Sequence, residues 1–100
     1  MKLKAKLWVN KVSVEVNPFV EQFLARTTLG AVASLRGGGS VQSLELHQEK
    51  GDVKITVNGN ELPLTPFPRD IICSTLIGLV SSLKGVDEVD NLDISIEVGG

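Results

Sequence analysis

The sequence predicts an α+β domain built from two tandem ββαβ units, with internal two-fold pseudosymmetry and an antiparallel-dominated sheet that carries two helices on one face. Three observations predict it. The stretch NPFVEQFLARTTLGAVASLRG at 17–37 returns as TPFPRDIICSTLIGLVSSLKG at 65–85. Each copy is preceded by apolar alternation interrupted by a turn, at Asn10-Lys11 and at Asn58-Gly59. Each copy is followed by a second apolar alternation.

A shift of 48 aligns residues 5–49 with 53–97 without a gap, and 14 of the 45 pairs are identical. Chance gives only a few such matches, so the sequence reads as an internal duplication, and self-similarity of this kind fixes the architecture. Two copies are too few for a solenoid. They read as a homodimer fused into one chain. One hundred residues make a single domain, 1–100, of two repeats at about 2–49 and 50–98.

The elements follow in order. Leu3, Ala5, Leu7 and Val9 alternate with polar residues, the period of a half-buried strand. Asn10-Lys11 turns the chain into Val12, Val14 and Val16. The second unit repeats this with Val53, Ile55 and Val57, then Asn58-Gly59, a strong signal for a type I′ turn, then Glu61–Leu64. Asn17 and Thr65 stand at helix N-caps, with Pro18 and Pro66 in the first helical position, where a missing N–H costs nothing. Gly37 and Gly85 stand just past the helix ends, after Arg36 and Lys84, which suit the negative pole of the dipole. The spacing predicts helices of about 19 residues. The last strands are expected at about Val41–Gln48 and Val89–Val98.

The alternation is apolar on one face only. The other carries Lys2, Lys4, Lys6, Trp8, Ser13, Glu15, Glu45, His47, Lys54, Thr56, Glu61, Asp93, Ser95 and Glu97. Such a sheet is covered by helices on one side and wetted on the other. On the helices, Thr27, Gly30 and Ser34 fall on one stripe, as do Thr75, Gly78 and Ser82. Small residues at this spacing allow close approach of two backbones, so the helices are expected to cross along these stripes. Leu29, Val32, Ile77 and Val80 then form an apolar strip on the outer helix face. Such a strip marks a contact surface, and a symmetric dimer is the simplest occupant.

Composition narrows the function. A hydrophobic fraction of 42% with 22% charged residues belongs to a globular chain rather than a disordered one. No apolar run approaches the roughly 20 residues of a membrane span, and the start lacks a signal-peptide core. One cysteine forms no intramolecular disulfide and fits a reducing compartment, so a cytoplasmic location is expected, with no membrane partner. The net charge of −2 gives no basic footprint, and nucleic acid is not an expected partner.

Chemistry-bearing residues are sparse. The single histidine, His47, and the single cysteine, Cys73, fall on opposite sides of the sheet by the alternation, which separates a Cys–His pair. Asp87, Glu88 and Asp90 read as a solvated acidic turn, so neither a metal nor a cofactor is expected. Arg36–Ser40 follows a helix and lacks GK[ST], so it reads as a cap and turn rather than a phosphate loop. Asn17-Pro18-Phe19 matches a peptide bound by endocytic adaptor domains, but the capping reading prevails. Trp8, beside Lys4 and Lys6 on the open face, is a candidate partner contact.

The N-P-F opening and S-S-L-K-G close resemble a group of short prokaryotic proteins of unknown function that carry one such unit. The resemblance covers nearly the whole chain and implies that single-unit relatives dimerise. A strand, an N-G hairpin, a strand, a long helix and a strand are also similar to the start of the β-grasp, ubiquitin-like fold. The chain ends ISIEVGG, and sulfur carriers of that fold end in a diglycine that a partner enzyme adenylates. That resemblance implies a carrier tail at Gly99 and Gly100. The residues themselves favour a non-enzymatic protein that self-associates as a homo-oligomer, a dimer in the simplest case, and binds a protein partner.

Overall fold

A computed structural model of the chain describes residues 2–36, 40–50, 52–63, 66–83, 86 and 88–99. The elements are β1 (Lys2–Val9), β2 (Val12–Val14), α1 (Pro18–Arg36), β3 (Ser43–Glu49), β4 (Asp52–Val57), β5 (Asn60–Leu62), α2 (Pro66–Ser81) and β6 (Asn91–Gly99). The strands form one sheet in the order β2-β1-β6-β3-β4-β5, antiparallel throughout. The fold class is therefore α+β, as the alternation predicts. The strand and second-helix boundaries differ from the sequence reading by a few residues, most at α2, which is 16 residues long.

The pairing obeys the same shift of 48 that aligns the sequence. In the hairpins, Leu7 faces Val14 and Ile55 faces Leu62. Leu7 faces Ile94 between β1 and β6, and Ile55 faces Leu46 between β4 and β3. In the central pair Leu46 faces Ile94. These contacts form one apolar row, Val14–Leu7–Ile94–Leu46–Ile55–Leu62, across all six strands. Leu7, Ile94, Leu46 and Ile55 are at most 2% exposed.

Each hairpin lies beside the last strand of the other unit: β1 pairs with β6, and β4 pairs with β3. Neither half of the chain, 2–49 or 50–98, builds the six-stranded sheet by itself. Two asparagines fasten the exchange. Asn10 Oδ1 accepts from the Asp90 and Asn91 amides at 2.7 and 3.0 Å, and its Nδ2 donates to Glu88 O at 2.8 Å. Asn58 does the same in the other half, with the Gln42 and Ser43 amides at 2.7 and 3.1 Å and Ser40 O at 3.0 Å. Both sit in the left-handed region, φ 52° and 51°, followed by Lys11 at 66° and Gly59 at 84°. That is the two-residue I′ turn, which matches strand twist and which asparagine tolerates.

One apolar core lies between the sheet and the helices. It gathers Leu3, Ala5, Leu7, Leu44, Ile55, Leu92 and Ile96 from the strands. Leu24, Ala25, Val32, Ile72, Leu76 and Val80 join them from the helices. α1 lies over β1 and α2 over β4. Asn17 caps α1, its Oδ1 accepting from the Val20 amide at 2.8 Å. Glu21 Oε2 accepts from the Ala5 amide at 3.1 Å, and Gln22 Nε2 donates to Leu3 O at 3.0 Å. The first turn of α1 thus satisfies the stretch of β1 that the short β2 leaves unpaired. The caps expected at Thr65, Gly37 and Gly85 lie outside the described residues.

The helix facing reverses the sequence expectation. Val32 and Val80 are fully buried and Leu29 packs against the core, so these three face the sheet rather than outward, while Ile77 is partly buried beside Cys73 and Val89. Thr27, Gly30, Ser34, Thr75, Gly78 and Ser82 do not form a crossing. Gly30 and Gly78 are exposed, and nothing lies within 4 Å of a Cβ built on either. The reason is the width of the sheet. Its inner face offers far more apolar area than one helix could offer another, so the branched aliphatics are drawn to it and the small residues turn outward.

Candidate functional site

The face of the sheet opposite the helices is open, and its side chains are ordered by strand register. Ser13, Trp8, Asp93, His47 and Lys54 stand in one row across β2, β1, β6, β3 and β4. The neighbouring row runs Lys6, Ser95, Glu45, Thr56, Glu61. The shift of 48 maps one row onto the other in reverse.

At the centre of both rows an acid pairs with a polar group across β3 and β6. His47 Nδ1 lies 2.5 Å from Asp93 Oδ1, and its Nε2 lies 3.4 Å from Glu49 Oε2. In the other row Ser95 Oγ donates to Glu45 Oε1 at 2.9 Å. The imidazole therefore replaces a hydroxyl in one half only. The hydrogen bond to Asp93 raises the His47 pKa above its ordinary value, with the Asp93 and Glu49 charges adding to it and desolvation opposing. The side chains of His47 and Asp93 are 41% and 32% exposed, so a ligand can reach the pair.

His47, Glu49, Lys50, Asp52 and Lys54 line a shallow hollow of about 600 Å³ beside this row. Trp8, half-buried, stands on the far side of Asp93, and Lys4 and Lys6 are exposed along the same strand. The face thus offers one aromatic ring, an imidazole held by carboxylates and flanking ammonium groups. That set suits recognition of a polar partner surface. Among the described residues no group of three or more His, Cys, Asp or Glu is placed to hold a metal ion. No helix among them is long and apolar enough to cross a membrane.

Cys73 is on the helix side, and burial pushes its thiol up, with Asp70 adding to the rise. It does not meet His47, as the alternation implies. The tail residue Gly99 is the last of β6, where it pairs with Lys2, and Gly100 lies outside the described residues. Comparison of the chain with protein-family models, with curated proteins and with solved structures finds no match.

Three features escape a reading of the sequence alone. The His47–Asp93 pair joins residues 46 apart, and only the register of β3 against β6 brings them together. The asparagine clasps connect a turn to a loop of the other unit. Gln48, 4% exposed, is a polar side chain on the inner face. The shift of 48 contains the signal for it: Gln48 aligns with the core residue Ile96, and Cys73 with the core residue Ala25.

Proposed function

We propose that the protein is a non-enzymatic, self-associating binding module. Its outer helix face forms the contact between two copies, and the open sheet face around Trp8, Lys4 and Lys6 receives a protein partner. We attribute the architecture to duplication of a single ββαβ unit, as in the short prokaryotic proteins it resembles.

The observation that carries the self-association is the outer helix stripe. Thr27, Gly30 and Ser34 are identical to Thr75, Gly78 and Ser82, and nothing in the chain lies within 4 Å of a Cβ built on either glycine. A glycine inside a solvated helix costs about 1 kcal/mol relative to alanine. Its retention in both copies is accounted for by a backbone that approaches from outside. Phe19 at 73%, Phe23 at 49% and Ile71 at 49% exposure surround the stripe. Arg26 on α1 and Asp70 on α2 are exposed charges of opposite sign. A second copy laid with its α2 on this α1 brings opposite charges, Arg26 and Asp70, to both symmetric halves of the contact. A partner with an all-acidic or all-basic surface satisfies only one of them.

Analytical ultracentrifugation tests this. The wild type is expected to sediment as a dimer at micromolar concentration. The double variant Gly30→Glu, Gly78→Glu is expected to sediment as a monomer with an unchanged far-UV circular dichroism spectrum. A monomeric wild type at high concentration sinks the reading. Ile77→Asp is a poor probe, because Ile77 is partly buried beside Cys73 and Val89. The alternative, a sulfur carrier activated at Gly99-Gly100, requires Gly99 to leave its pairing with Lys2. Intact-mass analysis of protein from its source organism would reveal a C-terminal thiocarboxylate or adenylate.

A further inference from the structure

At one end of the helix layer the start of α1 meets the end of α2 over an apolar cleft of about 200 Å³. Phe19, Val20 and Phe23 wall it on the α1 side, and Leu79, Ser82 and Leu83 on the α2 side. Ser82 supplies its one hydroxyl, which donates to Leu79 O at 2.7 Å. The other five side chains are hydrocarbon, so the cleft selects an apolar group. A cavity of about 150 Å³ lined by such side chains holds one benzene ring, so there is room here for one aromatic side chain. An aromatic stands at its rim. Phe19 is 73% exposed, the most exposed large apolar side chain among the described residues. Its ring leans on Phe23, with centroids 5.9 Å apart, and neither ring belongs to the core.

A protruding aromatic and an apolar socket on one patch are complementary to a second copy of that patch. In a two-fold dimer each copy supplies both, and both sockets are filled. The geometry permits this. A two-fold that lays α2 of one copy on α1 of the other runs along the helices. It keeps each end of the layer over the same end of the partner, so the two clefts face one another. The cleft is also continuous with the glycine stripe. Phe23 stands seven residues before Gly30, and Ser82 four after Gly78, close to whole helical turns, and all four residues are exposed. A small hydrocarbon fills the cleft but leaves Phe19 bare. A lipid surface selects helices whose polar side is rich in Lys and Arg, whereas α1 and α2 expose charges of both signs, Arg26 and Asp70.

We propose that Phe19 of each copy inserts into the cleft of a second copy, against the partner's Phe23, Leu79 and Leu83, and is the aromatic anchor of the dimer. This rests on the self-association proposed above and names the side chain that carries most of its energy. A few buried aromatic residues dominate the binding energy of protein contacts. The small residues of the stripe then set the distance of approach.

Sedimentation equilibrium of the full chain tests this, together with an isotope-filtered NOE experiment on an equal mixture of labelled and unlabelled protein. Intermolecular NOEs between the Phe19 ring and the Leu79 and Leu83 methyls are expected in the wild type. Phe19→Ala is expected to weaken dimerisation at least about ten-fold with an unchanged far-UV circular dichroism spectrum. Ser82→Trp, which fills the socket from an exposed position, is expected to weaken it as much and serves should the first variant fold poorly. Suppose the wild type dimerises and the Gly30→Glu, Gly78→Glu variant does not, while Phe19→Ala and Ser82→Trp change nothing. The anchor is then overturned and the helix-face dimer stands. A monomeric wild type overturns both, and Phe19 signals that shift on addition of phosphatidylcholine vesicles would then assign the cleft to a lipid surface.

Discussion

Leu46 lies directly opposite Ile94 in the central antiparallel pair, and each is the other's counterpart under the shift of 48. The strand register on either side of this pair follows the same shift. Both are core residues, at 2% and 1% exposure. Leu46→Ala or Ile94→Ala is expected to cost about 2–5 kcal/mol, the range for large-to-small changes in a packed core. Because the two side chains share one site, the double variant should cost measurably less or more than the sum. Urea unfolding of the four proteins measures this, and additivity within experimental error would contradict the shared packing.

The clasp asparagines should matter more than exposed turn residues usually do. Asn58→Ala removes three side-chain hydrogen bonds and puts alanine at a φ of 51°. A loss of about 1–3 kcal/mol is expected, and the same for Asn10→Ala. Asn58→Gly keeps the turn geometry and loses only the clasp. If Asn58→Gly unfolds at the same urea concentration as the wild type, the clasp contributes nothing.

Gly30→Ala and Gly78→Ala should each raise the stability of the isolated chain. Both glycines are mid-helix, and open space surrounds the position of the added Cβ. Helix propensity then acts unopposed, with a gain of about 1 kcal/mol each. Measured at a dilution where the chain is monomeric, a loss of stability would show that the stripe is packed within the chain.

The His47–Asp93 pair gives a pH dependence whose sign is fixed. The folded imidazole has its pKa raised above the ordinary value of 6.5, chiefly by the hydrogen bond to Asp93. The contribution to stability is therefore fully present below that value and is lost as pH rises through the folded pKa. His47 is the only histidine, so its proton NMR titration is free of overlap. Asp93→Asn should bring the midpoint down toward the ordinary value. An unchanged midpoint in the variant would mean that Asp93 does not hold the ring.

The sequence by itself determined the elements and their pattern. Local chemistry suffices for these: Asn17 caps α1 whatever surrounds it, and Asn10 and Asn58 make tight turns because their backbones tolerate positive φ. The alternation of Leu44 and Leu46 with Glu45 and His47 also separated the inner from the open face, because side chains alternate along any strand. The tertiary structure decided what joins to what. That each hairpin pairs with the other unit's last strand follows from long-range register, which no local preference encodes. The same register brings His47 to Asp93 and sets Trp8 on the opposite side of that acid. The helix facing was decided there as well. Taken alone, each helix carries both a small-residue stripe and an aliphatic strip. Only the broad apolar face of the completed sheet selects Val32 and Val80 for burial and leaves Gly30 and Gly78 to the solvent.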